Sequence, residues 1–398
     1  MDTKKINKVL AKNLGSGFTA VAKDDEILLE GNATSFENYC LAAFLAAEGE
    51  TPQAIPTQRL INNIHLPHEI SPKIIAPKYR DKSLEGKNYD VVIVGAGVLG
   101  CATARLLSQY RIRVLLLDKE NDVALHASAN PYAIMRAGVG LAEGTLKHKY
   151  NTWGNRLIAN VCDELNVPFY KTGGYLLFDD DVKQSLTTSK YTNKYSGIAQ
   201  KINKKNLHED FPFLQKDLTA IYMPSIGVVN GEHLTIAMAE NAIQNGVQLS
   251  LNTIVNGFTV DNEVITAVHT NKGTVIPRIV INCAGTFCEH LAKMANDHFY
   301  GTYTARATVG EFNVPENHTF IAQSAATQGE VGAAVFQNNK AVLCSNAVLT
   351  AKRENASCHE TEYKSICEQW QTAIPSLKNA SLASSYVGLL THSYEDDY

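Results

Sequence analysis

The chain has 398 residues, 45% hydrophobic and 19% charged, with a formal net charge of −4. That balance is ordinary for a globular protein and leaves room for two or three domains. It offers no basic footprint for nucleic acid or an anionic membrane surface.

Residues 1–66 differ from the rest. Ile6, Val9, Leu10 and Leu14 share one helical face, and Gly15-Ser16-Gly17 stops that helix. FTAVAKDDEILLEGNA then reads as two strands around a polar turn, Ser35 caps a helix over FENYCLAAFLAAE, and RLINNIHL reads as a closing strand. The order helix, strand, strand, helix, strand resembles a BON domain, most closely in EILLEGNATSFENY and INNIHL. In that family the module attaches to membranes, ligands or other proteins and carries no catalysis. Residues 67–88, with three prolines and many charges, read as a linker.

Residues 89–118, YDVVIVGAGVLGCATARLLSQYRIRVLLLD, are the most informative stretch. An apolar strand runs into Gly95, Gly97 and Gly100, a helix follows, and a second buried strand ends on Asp118. Gly95 permits the tight turn, Gly97 lets backbone N–H groups approach a pyrophosphate, and Gly100 lets the helix pack close. The helix N-terminus adds the positive end of a dipole, and Asp118 is placed to accept from an adenosine ribose. Strand, turn, helix, strand and acid in this order point to a ligand with an ADP moiety.

A long helix is expected over about 148–165, a strand with a glycine turn in PFYKTGGYLLF, and a lysine-bearing polar helical stretch over 181–209. A helix over about 231–245 and a strand ending at Val255 come next, then hairpin strands in GFTVDNEVITAVHT and GTVIPRIVINCAG. Alternating strands run to about residue 345, and a helix lies near 361–370. The eight cysteines are scattered without a C-x-x-C pair, so they read as reduced core thiols of a cytoplasmic protein with no metal site. No apolar run approaches a membrane span.

GAGVLG, AGVGLAEGTLKHKYNTWGN, ELNVPFYKTGGYLLF, YMPSIGVVNGEHLTIAMAENAIQNGVQLSLNT and VINCAG, in this order, resemble the FAD-dependent oxidoreductases of the D-amino-acid-oxidase-like superfamily. The nearest branch is that of the anaerobic glycerol-3-phosphate and L-2-hydroxyglutarate dehydrogenases. The resemblance covers about residues 88–398. It implies an α/β fold: an FAD-binding Rossmann-like domain (89–165, 220–295 and 346–398) interleaved with an α+β substrate domain (166–219 and 296–345), after the small N-terminal α/β module. It also implies hydride transfer from a small anionic hydroxy acid or glycerol phosphate to FAD, with electrons passing to a quinone, a carrier protein or oxygen. Gly95, Gly97 and Gly100 would cradle the pyrophosphate, and Asp118 would bind the ribose. Ser128 would lie near the phosphates, Val255 would contact adenine through its backbone, and Ala284 and Gly285 would pass close to the cofactor.

The departures fall near the flavin and on the substrate side. The family's T-S-x-x-N-S stands here as Ala127 to Tyr132, with Pro131 and Tyr132 in place of the amide and hydroxyl. Its His-Ala-Gly is Arg136-Ala137-Gly138, so a titratable group has become a permanent cation. Its K-G-E-Y lysine is Val309, and its Gly-Leu-Arg clamp is Gly388-Leu389-Leu390. Arg136 is therefore the candidate anion anchor, against the alternative that it pairs with a local carboxylate. His148 and His392 lie in matched segments as candidate proton carriers, and Tyr175 points either into the pocket or into the sheet. Family members continue past the position of Tyr398, so the flavin half of the site is expected to be incomplete. The competing functional reading is a degenerate, non-catalytic relative that binds nucleotide or partners.

Overall fold

The computed structural model describes residues 3–24, 26–48, 59–67, 74–130, 132–138, 141, 143–179, 199–298, 301–324, 331–345, 347–350, 353 and 358–393. The nucleotide unit is the centre of a six-stranded sheet ordered Gln248–Ser250, Val114–Leu117, Lys87–Val94, Gly273–Asn282, Val264–Thr270 and Val255–Asp261. Its first four strands are parallel, and the last two close it as an antiparallel meander. Helices Val98–Leu107 and Gly231–Gln244 press Ala104, Leu234, Met238 and Ala242 onto Val91, Ile93, Val114 and Leu116. The opposite face buries Val92, Val94, Leu115 and Leu117. Burial on both faces is why these strands are apolar without alternation.

The second sheet has nine strands around Thr302–Asn313, which pairs with Ser381–Ser393 along its whole length and with Lys340–Cys344 and Val348–Thr350. Helix Glu360–Gln371 lays Ile366, Cys367 and Trp370 on its core. Val348–Thr350 and Ser381–Ser393 thus join this nine-stranded sheet, and so does Thr219–Met223, which pairs with Gly174–Phe178. The physical reason is the backbone of Thr302–Asn313, whose donors and acceptors find partners only when the late strand runs beside it. A three-stranded sheet of Ala133–Met135, Gly227–Val229 and Phe169–Tyr170 lies where the chain crosses between the two large sheets.

Other differences are local. The nucleotide strand starts at Lys87, because Lys87 and Asn88 pair with Val275 and Ile276. Leu84, inside the expected linker, is buried, and its N–H donates to the Lys272 carbonyl. Val255 opens a strand instead of ending one, after a turn in which Asn252 takes φ 49°. Of the expected lysine-bearing helix, residues 181–198 lie outside the described residues; the remainder holds a strand, Gln200–Ile202, and a short helix, Lys204–Asp210.

The N-terminal residues form helix Thr3–Leu14, strands Phe18–Lys23 and Glu26–Gly31, helix Phe36–Glu48 and strand Arg59–Asn62, which pairs parallel with Glu26–Gly31. Their core of Ile6, Leu10, Ile27, Leu29 and Leu60 also takes in Tyr303 and Ala305 from the large sheet. The module thus shares a core with the body, rather than only being tethered to it.

Candidate functional site

The site is built at the carboxyl ends of the parallel strands, where ligands of open α/β sheets bind. Strand Lys87–Val94 runs into Gly95, whose φ of 108° is a conformation that side-chain-bearing residues avoid. Gly95 N–H donates to the Leu117 carbonyl at 2.8 Å. A Cβ on Gly95 would stand 2.2 Å from the Cys283 carbonyl oxygen, and one on Gly100 would stand 1.8 Å from the Gly95 carbonyl oxygen. Helix and turn are therefore in backbone contact.

Gly97 is the N-cap of helix Val98–Leu107 and offers no side chain to cap it. The missing acceptor comes from far along the chain: Val98 N–H donates to Ser128 Oγ at 2.9 Å. Asp118 Oδ2 accepts from Ala96 N–H at 2.6 Å, and its Oδ1 accepts from Glu120 N–H at 2.9 Å. Asp118 thus braces the glycine turn, and each oxygen keeps further acceptor capacity for a ribose hydroxyl.

These groups open onto a cavity of about 170 Å³ lined by Gly95, Gly97, Asp118, Ser128, Val255, Ala284 and Gly285. Of the residues chosen from sequence for the cofactor, Gly100 alone is not in its lining; it stands behind the turn. A helix N-terminus, a glycine floor, a hydroxyl and a carboxylate around one cavity fit the ADP half of a dinucleotide.

Comparison with known proteins agrees. The FAD dependent oxidoreductase family matches residues 90–397. This chain belongs to that family. Glycerol 3-phosphate dehydrogenase of Caloramator mitchellensis is 35% identical over 214 residues, 53% of this chain and 44% of that protein. The mitochondrial L-2-hydroxyglutarate dehydrogenase of Nematostella vectensis is 26% identical over 251 residues, 58% of this chain and 55% of that protein. The chain thus spans about half the length of the curated relatives it matches. In fold it is similar to FAD-bound L-alpha-glycerophosphate oxidase of Mycoplasma pneumoniae, with TM-score 0.69 and 20% identity over 77% of this chain and 84% of that one.

Within this flavoenzyme fold, several cleft residues had no signal in the sequence. Glu120 Oε1 meets His126 Nε2 at 2.9 Å and also pairs with Lys119, whose ammonium lies 5.7 Å from the Phe287 ring centroid. Burial works to raise the Glu120 carboxyl, but the hydrogen bonds from Lys119 and His126 bring it below the ordinary carboxylate value. Ala124 and His126 both hold φ of 63°, a strained choice for residues other than glycine, in the loop that delivers Ser128.

The substrate side is made differently. Arg136 follows strand Ala133–Met135, and its side chain is solvent-accessible. The surrounding protein nevertheless desolvates the guanidinium and lowers its pKa, while the neighbouring Cys344 acts in the opposite direction. Among the described residues no carboxylate pairs with it. Asn130 Oδ1 accepts from the Tyr386 hydroxyl and from Tyr132 N–H, each at 2.9 Å, and the Tyr132 hydroxyl donates to Glu311 at 3.1 Å. Burial pushes Cys344 up to about 11 and raises Tyr132 and Tyr386 above the ordinary phenol value. These three groups hold their protons at neutral pH.

The remaining sequence candidates separate. His148 lies beside the Arg136 segment, its Nε2 3.5 Å from where a Cβ on Gly138 would stand. His392 instead stacks on Tyr303 at 5.3 Å, next to the N-terminal core. Tyr175 packs among Phe211 and Phe320, so it belongs to the sheet core. Val309 is buried in the sheet, and Leu390 is 41% exposed.

Proposed function

We propose that the chain dehydrogenates a small anionic hydroxy acid or glycerol phosphate. FAD, when bound, supplies the two-electron acceptor, and a quinone, carrier protein or oxygen takes the electrons onward. The turn at Gly95 to Gly100, with Asp118 and Ser128, holds the ADP half and fixes the register of the rest. Arg136 anchors the substrate's carboxylate or phosphate by charge-assisted hydrogen bonds. His148, beside the Arg136 segment, accepts the hydroxyl proton in this reading. The observation that carries the substrate class is Arg136: an accessible guanidinium with no carboxylate partner among the described residues. Eight free cysteines support a reducing, cytoplasmic setting.

A second reading, a relative that binds FAD without turnover, is favoured by Leu390 and Val309, which offer no polar group to a substrate. Anaerobic mixing of FAD-loaded protein with glycerol 3-phosphate, L-2-hydroxyglutarate or glycine separates the readings. Slow bleaching by one of the two anionic alcohols, lost in Arg136→Gln, is the expected result. Intact flavin colour with every substrate selects the second reading. Bleaching by glycine alone overturns the substrate class.

A further inference from the structure

Beside residues 287–294 lies a second cavity of about 870 Å³, which shares Val255, Phe287, His290, Met294 and Arg353 with the cofactor cavity and adds the N-terminal module to its lining. Phe36, Tyr39 and residues 62–66 of the N-terminal module form one wall; helix Cys288–Met294 and Arg353 form the other. Among its described lining residues, Lys293 and Arg353 face a single carboxylate, Glu289.

Glu289 is 2% exposed and already well engaged. It pairs with Lys293 Nζ at 2.6 Å and accepts from the Tyr39 hydroxyl at 3.0 Å and from Thr302 N–H at 3.3 Å. Arg353 receives only what remains, a 3.6 Å contact, although its side chain is 9% exposed. Its guanidinium lies 5.0 Å from the Phe36 ring centroid, and its carbonyl accepts from Thr286 Oγ1 at 3.1 Å, which fixes it in the wall. A nearly buried guanidinium with five donors and, among the described residues, one long, shared carboxylate contact is an incomplete ion pair. Burial, and then the two nearby cations, hold His290 below its ordinary pKa, so it adds a neutral ring to the lining.

We infer that this cavity binds a monocarboxylate with an apolar body. The cluster carries one positive charge in excess, which one carboxylate neutralises and a phosphate dianion would overshoot. A carboxylate also matches the planar donor fork of Arg353. Phe36, Ile64, Leu66, Ile254 and Met294 supply the apolar surface for the rest of the ligand. The site adjoins the cofactor cavity through Arg353, but Gly95, Gly97, Asp118 and Ser128 are not in its lining, and it does not depend on which substrate is oxidised.

The test is calorimetric titration of the FAD-loaded full chain with octanoate, octanol and inorganic phosphate. One octanoate should bind per chain without displacing FAD, and octanol and phosphate should bind more weakly. Arg353→Gln should weaken octanoate about ten- to hundredfold, the range of a charge-assisted hydrogen bond. Ala76→Trp, at an exposed position on the cavity rim, should block binding while leaving the ion cluster untouched. Absence of octanoate binding, binding indifferent to both variants, displacement of FAD, or tighter binding of phosphate would each overturn the inference.

Discussion

The two halves of the cleft are held by different means. The ADP half rests on backbone: Gly95 and Gly100 admit no Cβ, and main-chain N–H groups of Ala96 and Val98 are braced by Asp118 and Ser128. The proposed substrate half rests on side chains from separate segments, with Arg136 near Cys344 and Asn130 joined to Tyr386. Backbone geometry tolerates little change, whereas a side-chain site can be rewritten one residue at a time. That difference fits an unbroken glycine turn beside a proposed substrate side in which Arg136, Val309 and Leu390 stand where the resemblance implies other residues.

The sharpest way to break this contrast is Gly100→Ala. Its methyl would stand 1.8 Å from the Gly95 carbonyl oxygen, so the helix must move. A loss of at least ~3 kcal/mol in urea unfolding is expected, the upper range for overpacking, together with loss of FAD binding. A variant that unfolds like the parent would show that the close contact is not needed.

Arg136→Gln probes the other half. Substrate-analogue anions should bind ten- to hundredfold more weakly, corresponding to about 1.5–3 kcal/mol for a charged hydrogen bond, with FAD affinity unchanged. Equal losses of FAD and anion, measured by equilibrium dialysis, would mean that the halves are not separable.

Ser128→Ala sharpens the comparison by a smaller step. It removes the acceptor for Val98 N–H, worth about 0.5–2 kcal/mol for a capping hydroxyl, and FAD affinity should fall while anion affinity holds.

The smallest effect is on pH dependence. The Glu120 carboxyl is lower in the folded protein than in the unfolded chain, so its contribution is present above the ordinary carboxylate pKa. It is lost as pH falls through the folded value. FAD retention should therefore stay flat down to about pH 5 and decline below about pH 4, by no more than ~1 kcal/mol from this group. Glu120→Gln should flatten that acid limb; an unchanged limb in the variant would assign it elsewhere.

What could be read from the sequence follows the same division. The apolar runs 91–94 and 114–117, the glycine spacing and Asp118 are local patterns: the runs are buried strands, and Gly95, Gly97 and Asp118 line one cavity. Contacts across the fold carried no such pattern. Ser128 caps a helix thirty positions away, Glu289 meets Tyr39 from the N-terminal module, and Glu120 pairs with His126 through a loop with two left-handed residues. Residues 381–393 mix small, polar and apolar side chains, so their place in the substrate sheet was fixed by the partner strand and not by their own periodicity.

The central claim, that the glycine turn is an intact ADP-binding floor, is tested most directly by FAD titration of the parent and of Gly97→Glu, with ADP as competitor. Gly97 faces Ser128 Oγ at the helix N-terminus, so a carboxylate there would take the pyrophosphate's place. The parent should bind one FAD displaceable by ADP, and the variant should bind none. FAD binding to the variant at parental affinity, or binding to the parent that ADP does not compete, would contradict the account.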